Sequence, residues 1–435
     1  MKTILVHLRQ IGKIKKLDRW VPHELNDRQR NVRVETCLAL LNRHRNEGIL
    51  NRIVTCDEKW IVFDNRKRSA NLIFRVTIKG NENEEKNFSA IVKTLINTTK
   101  QELFHELHKR EVLAYEKIIW KYKELQEKIC IEKSVTMPKC LFSTIEKANE
   151  VIILEDLKVK GFETDNRLAN FERLDYSQVS TVLKNLAKFH ALSFIYEKHD
   201  QENFDKVKSK FHDIIFSNKF LNKSLLRNYF HDSFETSLRL VENLDAKTDL
   251  ERVEPKLLDI LQQYTTPGTR NVLCHGDCWI NNVMFQNEGT ESKVCFIDFQ
   301  AMRYASPTTD ILYFLYICTD AAFRTAYFED LLNEYYDSLK SFLSIYGIEV
   351  NSVYTREDFD SDVKETLPYG LLMALIELKL VTTSPEDEAI LKRSKAEIDV
   401  TKTPEDDMYY KFRVNDVNDG VLIFYYLKKC FEAYR

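Results

Sequence analysis

The stretch Asn271–Gln300, NVLCHGDCWINNVMFQNEGTESKVCFIDFQ, decides how this chain is read. Two apolar runs in it, Val283–Phe285 and Val294–Ile297, have the length and composition of short buried strands. Polar residues gather at their ends: His275, Asp277 and Asn282 before the first, Asp298 after the second. An acid, a carboxamide and a second acid are thereby set around one strand-turn-strand unit. Phosphoryl transfer calls for such a set: one carboxylate orients the attacking hydroxyl and takes its proton, while an amide oxygen and another carboxylate hold Mg²⁺ against the phosphates. Any one of these residues could equally be a turn former between core strands. Their joint spacing separates the two readings.

Asn282 lies five positions after Asp277 and His275 two before it. Protein kinases carry H-R-D-x-x-x-x-N with the same intervals, and IDFQ stands where they have D-F-G. The segments HGDCWINNVMF, FIDFQ and SPTTDILYFLY together resemble the ecdysteroid kinase-like (CHK kinase-like) family, a distant branch of the protein-kinase-like fold beside choline and aminoglycoside kinases. The resemblance runs upstream through IVKTL, REVLAY, VIILEDLKVKGF and LAKFHALSF and covers roughly residues 71 to 435. It implies an α+β, bilobal fold, with ATP and Mg²⁺ as cofactors and an ecdysteroid or other lipophilic alcohol as acceptor. In this sequence it points to Asp277 as catalytic base with His275 beside it, and to Asn282 and Asp298 as metal ligands. It also implies that Lys93 grips the phosphates with Glu111 behind it, and that Glu155, Asp156 and Leu157 form the adenine edge. The A-P-E segment of protein kinases is not found after Asp298, which favours a small-molecule acceptor over a protein.

The residues themselves support the lysine–glutamate pair. LIFRVTIKG and FSAIVKTL read as strands about a polar turn, NENEEKN, and Lys93 lies inside the second. An unpaired ammonium buried there would be costly. Residues 102 to 124 read as a helix with Phe104, Leu107, Tyr115 and Ile118 on one face, and Glu111 falls on that face. Each charge needs a partner, and the other is at hand; a solvated Lys at a strand end and a rim Glu remain the plainer alternative. Val151–Leu154 reads as a short strand leading into the hinge at Glu155–Leu157. A helix is expected from Ser177 to Glu197, with His190 as a hydrogen-bonded core histidine. Asp310 opens an apolar helix either as its N-cap or as a tie to the catalytic loop, the second being favoured. Tyr335, Tyr336, Tyr369, Phe424 and Tyr425 are expected mainly in the core.

Residues 1–69 read differently. Basic residues are dense, a helix is expected from Asp27 to Asn46, and RIVTCDEKWIVFDNRKRSA reads as strand, turn and strand. KLDRWVPHEL and VTCDEKW resemble a mariner-type transposase, which implies Asp57 as its first catalytic acid. The resemblance stops near Ala70, before the further acids that such a two-metal site requires. Three segments are therefore expected: a transposase-like fragment over 1–69, a small lobe over 70–157 and a large lobe over 158–435. No glycine occurs between Gly48 and Gly80, so the glycine-containing phosphate turn of the first kinase strand is missing. Arg66, Lys67 and Arg68 would compensate only in part.

Composition narrows the partners. With 64 basic and 67 acidic residues the net charge is −3, so no global field favours nucleic acid or an acidic membrane. Nine cysteines without C-x-x-C spacing suit a reducing, cytoplasmic setting, with Cys274 and Cys278 as buried fillers. No apolar run reaches a membrane span. A small-molecule kinase is the reading adopted, with no specific nucleic acid and the oligomeric state undetermined. A non-catalytic kinase-fold binder and a transposon-derived DNA-binding protein stay open beside it.

Overall fold

A computed structural model describes residues 71–82, 84–95, 101–127, 129, 134–147, 149–164, 174–222, 224–288, 291–382 and 408–418. The transposase-like fragment, Asp57, the Arg66–Arg68 cluster, Phe424 and Tyr425 lie outside these residues. Of the described residues, 71–76 and those from 89 onward fall in one compact unit, which carries the site, and 77–82 and 84–88 fall outside it.

A four-stranded sheet forms from β1 (Asn71–Glu82), β2 (Glu84–Leu95), β3 (Cys140–Thr144) and β4 (Val151–Glu155), in the order β1-β2-β4-β3. The first two strands continue into the polar stretch expected as a turn. Only the chain reversal requires turn geometry, and backbone pairing tolerates polar side chains beside it. β2 and β4 pair antiparallel with Lys93 opposite Ile152, which sets the lysine at the centre of the sheet.

Between β2 and β3 runs α1 (Gln101–Leu113), which widens into a π-helical turn over Ala114–Ile119. Its expected apolar face is observed: Phe104, Leu107, Tyr115 and Ile118 are buried, with Glu111 among them. The π-turn was not legible in the sequence, and such turns often mark functional stretches of a helix.

The helical body is built around α2 (Tyr176–His199), opened by a reciprocal Asp175–Gln178 capping box. Beyond it lie α3 (Gln201–Lys208), α4 (Leu257–Thr265), α5 (Thr308–Cys318), α6 (Ala321–Ile345) and α7 (Arg356–Val381). Every residue of α5 is buried, as its nearly continuous apolar sequence demands. Close approach of α7 to α5 requires Gly370, because a Cβ there would lie 2.8 Å from the Tyr316 ring. Between these helices two small sheets hold the decisive stretch: β6 (Val272–Cys274) pairs with β9 (Arg303–Ala305), while β7 (Val283–Glu288) pairs with β8 (Glu291–Phe296) and with the short β5 (Glu163–Thr164). Tyr335, Tyr336 and Tyr369 are core residues, and Cys274 and Cys278 are buried. No helix among the described residues is long and apolar enough to cross a membrane.

Candidate active site

β6 delivers His275, Gly276 and Asp277 onto a loop whose underside is held by α5. Asp310 Oδ2 accepts from the His275 amide at 2.6 Å and Oδ1 from the Gly276 amide at 2.9 Å. His190 Nε2 lies 3.2 Å from the same Oδ2, and its Nδ1 2.7 Å from the Tyr335 hydroxyl. Burial alone would raise the Asp310 carboxyl pKa, but the His190 hydrogen bond and nearby positive charge hold it below the ordinary range. The N-cap alternative for Asp310 does not hold, because α5 begins at Thr308 and Asp310 sits in its first turn. Gly276 has φ +85°, and a Cβ there would lie 2.0 Å from the Ala301 carbonyl oxygen, so the loop closes only around glycine.

Asp277 is gripped on both oxygens. Oδ1 accepts from the Tyr313 hydroxyl at 2.9 Å and Oδ2 from Asn282 Nδ2 at 3.1 Å. Tyr313 lies three residues after Asp310 on α5, so both side chains leave the same helix face. Burial, then the charge of Asp277, pushes the Tyr313 phenol well above its ordinary pKa, and it remains a donor. Nothing in the sequence singled Tyr313 out from the apolar residues around it.

His275 is placed differently from the expectation that set it beside the base in the reaction. Its side chain is fully buried, with Nε2 2.9 Å from the Ile297 carbonyl and Nδ1 accepting from the Asp277 amide at 3.3 Å. Burial lowers its pKa, which fits a neutral ring. The ring ties the loop to the residue before Asp298, a structural rather than a reactive position. A second tie runs from the Ile297 amide to the Asn282 carbonyl at 3.0 Å.

Lys93 Nζ stands 2.6 Å from Glu111 Oε2 and 2.8 Å from Asp298 Oδ1. Burial opposes the ammonium charge, but Asp298 and Glu111 together outweigh it and raise the Lys93 pKa. Burial in turn raises the Glu111 carboxyl to about 7, against the pull of Lys93. One ammonium is thus shared by two acidic groups. Asp298 adopts φ +65°, the one positive φ at a non-glycine among the described residues. Such a conformation is rare outside glycine and stores strain of roughly 1 kcal/mol or more.

Lys93, Glu111 and Asp298 border an open cleft between the sheet and the helical body. Ile73, Ile91 and Leu154 line it from the sheet and Met284 and Ile297 from the body, with Lys93, Glu111 and Asp298 among its polar groups. Glu155, Asp156 and Leu157 also line it. Their acid side chains are engaged elsewhere. Glu155 pairs with Lys160 at 2.6 Å, while Asp156 accepts from Arg75 Nε at 2.5 Å and Ser89 Oγ at 2.6 Å.

The residues suit Mg²⁺. Asn282 spends its Nδ2 on Asp277, leaving its amide oxygen as the atom to offer. With the Asp298 carboxylate this is a hard-oxygen donor set.

A lysine held between a glutamate and an aspartate at the seam of a sheet and a helical body, with the Asp277 loop tied to the same segment, places this protein in the kinase-like class. The chain belongs to the ecdysteroid kinase-like family, whose model matches residues 69–348, more than half of its length. Among solved structures it is similar to a Plasmodium vivax ethanolamine kinase (12% identity, TM-score 0.44, covering 95% of each chain). Another is the choline kinase LicA of Streptococcus pneumoniae, at 13% identity and TM-score 0.34, covering 88% of this chain and 100% of that one. The N-terminal region matches other proteins. It is 62% identical over 68 residues to the human histone-lysine N-methyltransferase SETMAR, spanning 16% of this chain and 10% of that protein. It is 53% identical over 66 residues to the Mariner Mos1 transposase of Drosophila mauritiana, spanning 15% of this chain and 19% of that protein. The chain thus spans between a tenth and a fifth of the curated relatives it matches.

Proposed function

We propose that this protein transfers the γ-phosphoryl group of ATP to a hydroxyl of a small lipophilic alcohol, with ecdysteroids as the first acceptors to try. The observation that carries this is Lys93 meeting Glu111 and Asp298 at one end of an apolar cleft, with Asp277 and Asn282 tied to the same segment. Asp277 would orient the acceptor hydroxyl and take its proton, and Tyr313 and Asn282 would fix the plane of its carboxylate. Lys93 would hold phosphate oxygens, with Glu111 keeping it in place. Asn282 and Asp298 would hold Mg²⁺, which when bound supplies positive charge against the phosphates. The apolar walls suit a flat base, and with both acid side chains engaged, Glu155–Leu157 would meet its edge through backbone groups. The described cysteines, Cys140, Cys274, Cys278, Cys295 and Cys318, are free thiols, which supports a cytoplasmic setting.

One observation favours a second reading, a kinase fold that binds without turnover. No glycine lies between residues 48 and 80, so backbone N–H groups cannot easily close on phosphate ahead of β1. Titration of Mg-ATP into the full chain, followed by transfer assays over a panel of ecdysteroids and simpler alcohols, decides between the two. Binding with transfer is expected. Binding without transfer to any acceptor would favour the second reading, and no Mg-ATP binding would sink the first. Restoring a glycine-containing first strand should tighten Mg-ATP. Only a small part of a transposase is matched, with Asp57 the one catalytic acid identified in it, so no DNA cleavage is proposed.

A further inference from the structure

Arg110 precedes Glu111 and points away from the cleft. Successive helical residues diverge by about 100°, so when Glu111 faces Lys93 its neighbour faces the helical body. There Arg110 is buried, and its guanidinium donates to two carbonyls on separate segments. Nη1 reaches Met302 O at 2.5 Å and Nη2 reaches His212 O at 2.8 Å, with Cζ 4.9 Å from the Phe211 ring centroid. No intrahelical contact calls for this, and the mechanism above does not use it.

The segment that receives Arg110 continues to the catalytic loop. Phe211 O accepts from the Tyr304 amide at 2.7 Å. Asp213 Oδ2 lies 3.7 Å from Arg303 Nη1, and its Oδ1 accepts from the Phe216 amide at 2.6 Å. Arg303, 2% exposed, donates from Nη1 to the Gly276 carbonyl at 2.9 Å and from Nη2 to the Tyr369 hydroxyl at 2.8 Å. Gly276 is the residue before Asp277. A continuous set of buried and part-buried polar contacts therefore runs from the neighbour of Glu111, through Phe211–Asp213, to the neighbour of Asp277.

We propose that Phe211–Asp213 is a strut that holds the Glu111 helix and the catalytic loop in one register, with Arg110, Asp213 and Arg303 as positioning residues. Rotating α1 to withdraw Glu111 from Lys93 would pull a buried guanidinium off two carbonyls and leave both without their donor, a costly change. Shifting the Gly276 carbonyl would disturb Arg303 and, through Asp213, the same segment. The helix is thus kept in the position that pairs Glu111 with Lys93 whether or not nucleotide is present. The catalytic meaning of the strut rests on the phosphoryl-transfer reading; its mechanical coupling does not.

Hydrogen exchange on the full chain without nucleotide tests the coupling. The variants are Arg110→Met and Arg303→Met, with the isosteric Asp213→Asn as the mildest. Arg110→Met should speed exchange at least tenfold in residues 101–119 and also in 275–282, where the His275 and Gly276 amides are the reporters. Arg303→Met should do the reverse, reaching back into 101–119. A role limited to local packing would move only the segment around each substitution, and that outcome would overturn the proposal. Should either arginine variant fail to fold, Asp213→Asn decides alone: faster exchange in both segments supports the strut, and wild-type exchange in either refutes it. A parallel Mg-ATP titration of the wild type keeps the two ideas apart. Coupled exchange in a chain that does not bind Mg-ATP would retain the strut and remove the phosphoryl-transfer reading.

Discussion

Asp310 and Asp298 flank the same short stretch of chain, yet they are held in opposite ways. Asp310 is buried and is met on both oxygens by two backbone amides and an imidazole nitrogen. Asp298 keeps some solvent access, sits at a positive φ, and is held chiefly by Lys93, which it shares with Glu111. A carboxylate surrounded by fixed dipoles is a part of the scaffold. A carboxylate that shares one cation with a second acid retains charge that an incoming cation can use. The underside of the loop should thus carry stability, and its upper side function.

The sharpest way to break this contrast is to neutralise the upper side. Asp277→Asn and Asp298→Asn should each lower phosphoryl transfer by at least 10²-fold, from loss of a general base in one case and of a metal carboxylate in the other. Both variants should keep the wild-type circular dichroism spectrum and a denaturant midpoint close to wild type. If Asp298→Asn retained more than a tenth of wild-type turnover, Asp298 would not be a metal ligand.

The opposite profile is expected underneath. Asp310→Ala leaves the His275 and Gly276 amides and one His190 nitrogen without their acceptor. A loss of roughly 3–5 kcal/mol of stability follows, read as a fall in the denaturant midpoint. A variant as stable as wild type would show that the loop does not depend on this carboxylate.

How much of this was visible beforehand depends on where each partner lies in the chain. The Asp277–Asn282 interval and the acid after the second strand are local, so a few consecutive residues expose them. Lys93 and Glu111 were legible because each placed a charge on an apolar pattern, a conflict that demands a partner. Tyr313, Arg110, Asp213 and Arg303 gave no such signal. A tyrosine in an apolar helix satisfies its pattern, and Arg110 draws on carbonyls about a hundred or more residues away, which no periodicity announces. The place of the His275 ring gave no signal for a related reason: its neighbours in sequence carry the motif, but its partner is the Ile297 carbonyl, 22 residues away.

Tyr313 tests the contrast at its boundary, since it rises from the scaffold to touch the reactive acid. Tyr313→Phe keeps the ring and removes one hydrogen bond to the Asp277 carboxylate. A fall of about tenfold in turnover is expected, in line with the worth of a hydrogen bond to a charged group, with little change in Mg-ATP affinity. Equal loss of turnover and affinity would mean that the phenol supports the fold around the cleft and does not orient Asp277.

The smallest expected effect asks whether α1 repeats the same division along one face. Glu111 faces the charges of the cleft, while His108, one turn earlier and 1% exposed, places Nε2 3.0 Å from the Thr144 carbonyl. Burial lowers the His108 pKa to about 4; Lys93 and His105 act in the same direction, and the Thr144 contact and Glu150 oppose it. In the unfolded chain the value returns to about 6.5. Between these limits the unfolded chain takes up a proton that the folded protein refuses. The contribution of His108 is therefore fully present above pH 6.5 and is lost as the pH falls toward 4, by at most about 1.4 kcal/mol per pH unit. His108→Gln retains a donor for Thr144 without the titration. Denaturant midpoints measured from pH 7 to pH 4.5 should decline less steeply for the variant, by up to one proton's worth of slope. Parallel declines would mean that His108 charges freely in the folded protein, and a neutral turn preceding Glu111 on its helix would have to be given up.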